Sequence, residues 1–191
     1  MLVDDNANAS SFWDFTTSAY AREGVQSAVI ELQEKHACDV NVLFLCCYIA
    51  ATKRGRLTND DFEIIDNAVG DWKNDVTEQL RAVRNRIKES ARLTCLPGAT
   101  ELRARVISAE IESERVSQSI LESLFATRTV DDTVNVLENA VANLSVYLVT
   151  ICCNLDKEDE KAIVDLLCAT LTTETVETQQ AMRSGLGCDG K

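Results

Sequence analysis

A single proline, Pro97, stands in 191 residues, and on either side of it residues of one stripe recur at steps of three and four. Before it run Val76, Leu80, Val83, Ile87 and Ala91; after it run Leu102, Val106, Ala109, Ser113, Val116, Ile120 and Leu124. That period puts one seam along a helix, where a strand would alternate. Leu96-Pro97-Gly98 is a strong turn signal. Together they predict a long antiparallel helical hairpin with a coiled-coil-like seam. Only 7 glycines accompany the lone proline, too few turn residues for a strand-rich sandwich or barrel.

The remaining helices are marked by caps and stripes. Ser11 with Asp14 has capping-box spacing and opens a short helix through Tyr20. Gly24 breaks the chain before Val25 to His36, where Val25, Ala28, Val29, Leu32 and His36 share a face. Asp39 is the expected N-cap of an apolar helix, VNVLFLCCYIAATKR. Thr58 with Asp61 opens the next helix, and Gly70 is expected to interrupt or kink it before Trp72. Val134, Leu137, Val141, Leu144, Leu148, Ile151 and Leu155 make a further seam, and Asp156 caps a last helix through Glu177. The expectation is an all-α fold: one helical bundle domain of about seven helices over residues 11–178, with 1–10 and 179–191 as flexible termini.

Charge and composition exclude several function classes. A net charge of −12 repels DNA and RNA at long range, so nucleic-acid binding is disfavoured. The apolar runs are either too short or too interrupted by Asn and Glu to cross a bilayer, so no membrane role is expected. The acidic, polar start MLVDDNANASS lacks the pattern of a secretory signal. Most of the 8 cysteines fall in apolar helical runs, where they behave as small hydrophobes. A cytoplasmic setting with free thiols follows. With one His and no zinc-type spacing, neither a metal nor any other cofactor is expected.

Four blocks carry a family resemblance: FWDFTTSAYAREGV, LQEKHACDVNVLFLCCYIA, Trp72 followed at a fixed interval by LRAVRNRIK, and LRARVISAEIESERVSQSILE. In this order, over roughly residues 12 to 150, they resemble an uncharacterised family of small helical proteins. It is a mostly proteobacterial family of conserved hypothetical proteins, a domain of unknown function. The resemblance implies a helical fold and no activity.

Three clusters could carry function. At one helix junction stand Gln33, His36, Asp39 and Asn41; His36 could act as an acid–base group oriented by Asp39, or the four could simply cap and brace the loop. Next comes the basic run Arg81, Arg84, Arg86, Lys88 and Arg92, broken only by Glu89, which could hold a phosphate or an acidic partner. It could also pair across the hairpin: with equal rise on both helices, facing residue numbers sum to about 194. Arg84 would then face Glu110, Arg81 would lie near Glu114, and Glu89 would face Arg105. Phe12, Trp13, Phe15 and Tyr20 form an aromatic segment that either docks on the bundle or anchors a partner. Gly185 to Gly190 matches a dinucleotide-binding spacing but lacks the flanking strand and helix. No catalytic residue is assigned. The expected function is a non-catalytic interaction or adaptor protein of the bacterial cytosol, with a protein partner or a second copy bound. The alternative is an anionic-ligand binder or enzyme with a pocket between the helices that gathers His36, Asp39, Asn41, Arg81 and Arg84.

Overall fold

Every residue from Val42 to Ala50 is buried, and the helix that holds them is apolar on all sides. Such a helix can only be central. The computed structural model describes residues 11–151 and 155–185 and is all-α. Its helices are α1 (Phe12–Tyr20), α2 (Val25–His36), α3 (Val40–Ala51), α4 (Asn59–Trp72), α5 (Glu78–Glu89), α6 (Ala91–Thr94), α7 (Ala99–Phe125), α8 (Val136–Ile151), α9 (Lys157–Leu171) and α10 (Thr175–Gly185). A π-helical turn, Lys73–Thr77, joins α4 to α5 without a break. Among the described residues this makes nine separate helices, where about seven were expected.

The chain divides into two compact units. In the first, residues up to 62 and from 125 onward, α3 is surrounded by α1, α2, α8 and α9. α2 lies antiparallel to α9: Lys35 at its C-terminal end bonds Asp156 and Asp159 at the start of α9, while Arg22 ahead of it reaches the Ala169 carbonyl. The caps foreseen at Ser11, Asp39 and Asp156 are present, the last as a full capping box with Asp159. Thr58 and Asp61 also cap reciprocally. α10 packs on α8 and α9 so closely that a Cβ at Gly185 would stand 2.5 Å from Val141 Cγ1.

The expected last helix is two helices. The chain turns at Thr172, in the left-handed region at φ 59°, with its N–H bonded to the Cys168 carbonyl. A hydroxyl cluster holds the turn: Thr173 Oγ1 lies 2.9 Å from Thr178 Oγ1. No Gly or Pro marks the break. α10 then runs through Gly185, into the stretch expected to be a flexible terminus. Residues 1–10 and 186–191, Cys152 to Asn154, Cys188 and the glycine-rich spacing beyond Gly185 lie outside the described residues.

The second unit, residues 63–124, holds the hairpin. Gly70 does not interrupt its helix; the irregularity is the π turn. The extra residue lets Trp72 and Thr77 both meet Ser113 of α7: Trp72 Nε1 donates to its carbonyl at 3.0 Å, and its hydroxyl bonds Thr77 at 3.1 Å. Gly98, at φ 77°, takes the conformation that the tip needs. Twenty-seven residues make α7 about 40 Å long.

Candidate functional site

The Gln33–Asn41 junction is built from caps. Ala37, left-handed at φ 57°, ends α2 by donating to the Gln33 carbonyl. Asp39 opens α3 by accepting from the Asn41 N–H at 2.8 Å, and its own N–H donates to Tyr147 Oη at 2.7 Å. Burial pushes the Tyr147 hydroxyl far above the ordinary phenol range, so it stays a neutral hydrogen-bonding group. Three members of the cluster thus serve the two helix ends.

His36 instead faces α9. Its Nε2 is 3.0 Å from Oδ1 of Asp159, a wholly buried carboxylate, off the line of a hydrogen bond. Lys35 Nζ bonds both Asp159 oxygens, at 3.0 and 3.1 Å, and also Asp156. Asp159 further accepts from the Asp156 N–H at 2.8 Å, and Asp156 Oδ1 accepts from the Asp159 N–H at 3.0 Å. The buried charge is therefore fully partnered. The Lys35 hydrogen bond holds Asp156 down at about 2, and Asp156 in turn raises Lys35. Cations end α2 and carboxylates begin α9, so both helix dipoles favour the arrangement. Among the described residues no hydroxyl or thiol is bonded to His36.

Arg81 and Arg84 lie in the other unit, on α5. Arg81 Nη2 bonds Glu114 at 2.9 Å, its Nε bonds Glu110 at 3.2 Å, and its Nη1 bonds Glu78 at 2.6 Å. Arg84 Nε is 3.2 Å from the second Glu110 oxygen. Burial pulls the Arg81 guanidinium down, and the three carboxylates outweigh it and hold it up. The register computed from Pro97 thus holds for Arg84–Glu110 and Arg81–Glu114, and both cations are engaged within the hairpin.

The aromatic segment turns onto α3. Phe12 and Phe15 pack on Tyr48 with ring centroids 5.0 and 5.4 Å apart, and Tyr20 lies 5.9 Å from Phe44. Trp13 is half-buried. An open groove of about 870 Å³ runs past Tyr20 and along α2, but its walls mix Arg22 and Lys35 with Glu23, Glu31 and Glu34. Among the described residues no three His, Cys, Asp or Glu side chains gather to hold a metal, and no helix is long and apolar enough to cross a membrane.

Sequence reasoning missed Lys35, Asp159 and Tyr147, each paired to a residue more than 100 positions away. The basic run leaves unspent positive charge at Arg86 and Arg92, as its spacing implied, and a second group of cations went unnoticed. Of 19 Lys and Arg, eight have no partner among the described residues. Five of them, Arg86, Lys88, Arg92, Arg103 and Arg105, stand at the hairpin tip; the other three, Lys157, Lys161 and Arg183, stand where α9 meets α10.

Comparison with known proteins supplies a family. The family described as Protein of unknown function (DUF2390) matches residues 11–121, and the chain belongs to it. No curated protein and no solved structure matches.

Proposed function

We propose that this DUF2390 member is a non-catalytic protein-interaction module of the bacterial cytosol, whose hairpin tip receives an acidic segment of a partner protein. One observation carries the reading. Residues 85–105 keep five cations without a partner among the described residues, against Glu89 and Glu101, a local net of +3 in a chain of −12. Leu96 and Leu102 stand among them, 54% and 49% exposed. Cations interleaved with exposed leucines suit a segment carrying both carboxylates and apolar side chains. A nucleic-acid backbone would satisfy the cations and leave the leucines wet, and the rest of the chain would repel it. The cytosolic setting is supported by the free thiols Cys38, Cys46 and Cys47, buried and unbridged as suits a reducing compartment.

The test is selection from a displayed peptide library on the immobilised protein and on an Arg86→Glu, Arg92→Glu variant. Acidic, leucine- or phenylalanine-bearing peptides should be enriched on the native protein and lost on the variant. No enrichment, or peptides indifferent to the substitutions, would overturn the reading. So would a labelled single-stranded DNA or RNA that binds more tightly than any peptide. Light scattering during size exclusion reports whether the acidic segment belongs to a second copy.

A further inference from the structure

We infer that the cleft between α9 and α10 is a binding site for a small phosphate-type oxyanion carrying a short apolar group. Both helices belong to the first unit, and the hairpin tip plays no part. The cleft has a volume of about 140 Å³, room for roughly four or five waters at ~30 Å³ each. Lys157 and Lys161, one turn apart on α9, line it with Arg183 of α10. Among the described residues Glu160 is the only carboxylate on its walls, and Gln179 adds an amide. The cleft therefore carries a net charge of +2.

Two features separate this cleft from an ordinary solvated surface. Its three cations have no partner among the described residues, although carboxylates outnumber cations 31 to 19 over the chain. Elsewhere in this unit Lys35, Lys53 and Arg128 each hold a carboxylate. Lys157 is also the first residue of α9, an end where the helix dipole disfavours positive charge. A bound anion would offset both the mutual repulsion of the cations and this misplacement. The floor sets the ligand class. Val164 and Met182, 5% and 4% exposed, form it and can receive a few methylene groups but no charge. Two flexible ammonium groups and a planar guanidinium suit the oxygens of a phosphate, whether on a small phosphomonoester or on a lipid headgroup.

The experiment is titration of the ¹⁵N-labelled full chain with inorganic phosphate, with butyl phosphate and with phosphatidic acid vesicles, each at constant ionic strength. Amides of residues 157–164 and 179–183 should shift and saturate, with butyl phosphate binding more tightly than inorganic phosphate. Lys161→Ala with Arg183→Ala, both exposed positions, should weaken binding at least tenfold while the remaining spectrum is unchanged. Met182→Gln should remove the preference for the butyl ester. Arg86→Glu, at the hairpin tip, should leave all of this unaltered. Vesicle binding without saturation by butyl phosphate would assign the site to a headgroup. Shifts reproduced by sodium chloride, or affinity indifferent to the double substitution, would overturn the inference.

Discussion

Asn143 should be among the most costly positions at which to remove a polar side chain. It sits in α8, wholly buried, and spans two elements: Oδ1 accepts from the Leu57 N–H at 2.7 Å, and Nδ2 donates to the Cys46 carbonyl at 3.1 Å. One turn earlier Asn139 accepts from Arg56 Nε at 2.9 Å, and one turn later Tyr147 holds the Asp39 N–H. Asn143→Ala strands the Leu57 amide, since that residue is itself buried. An orphaned buried donor costs about 1–3 kcal/mol, and the space left by the amide adds to it, for a total of about 2–4 kcal/mol. In a chain of this length that is a fall in Tm of about 5–15 °C. Trp13 fluorescence in a Trp72→Phe background would follow the first unit alone. Thr150→Ala, exposed on the same helix and bonded only within it, is the control and should change little. A loss below about 1 kcal/mol for Asn143→Ala would refute the reasoning, since both bonds would then be replaceable by water or backbone relaxation. Asn143→Asp should be worse than alanine near neutral pH, because a carboxylate there would face the Cys46 carbonyl.

Three further outcomes follow from the same contacts. Asp156, held at about 2 against an ordinary 3.8 by Lys35 first of all, contributes stability that is complete above pH 4. That contribution should disappear as pH falls from 4 to about 2, and Asp156→Asn should flatten this limb of a Tm-versus-pH curve. Arg81→Met removes the cation that Glu78, Glu110 and Glu114 share; urea unfolding should show a loss of about 1–3 kcal/mol, partly restored by adding Glu110→Gln. Cys46 and Cys47 are buried, which raises the first thiol well above its usual range and pushes the second up to about 12. Mass mapping after iodoacetamide treatment of the folded protein should find Cys95 alkylated and both of these untouched.

The helix starts at Ser11, Asp39, Thr58 and Asp156 were legible because a cap is a bond over two or three residues, and local sequence states it. The pairing of Arg81 and Arg84 was legible for a related reason: once Pro97 marks the turn, equal helical rise on both sides sets the register. On α7, Ile111, Leu121 and Phe125 fall on one face by helical spacing, yet Leu121 and Phe125 are buried whereas Ile111 is 49% exposed. A stripe states which residues share a face and is silent on what covers each end of it. The break at Thr172 was hidden because threonine hydroxyls hold a left-handed residue that composition would never nominate.

The amino-acid sequence by itself therefore determined an all-α chain, its caps and the register of its hairpin, all of which rest on period and short separation. Only the tertiary structure decided that His36 meets Asp159 and not Asp39, and that Tyr147 and Asn143 brace loops 86 to 108 residues away. It alone gathered Lys157, Lys161 and Arg183 around one cleft. Those pairings depend on how separate helices pack, and a polar side chain carries no mark of which distant partner the packing will bring to it.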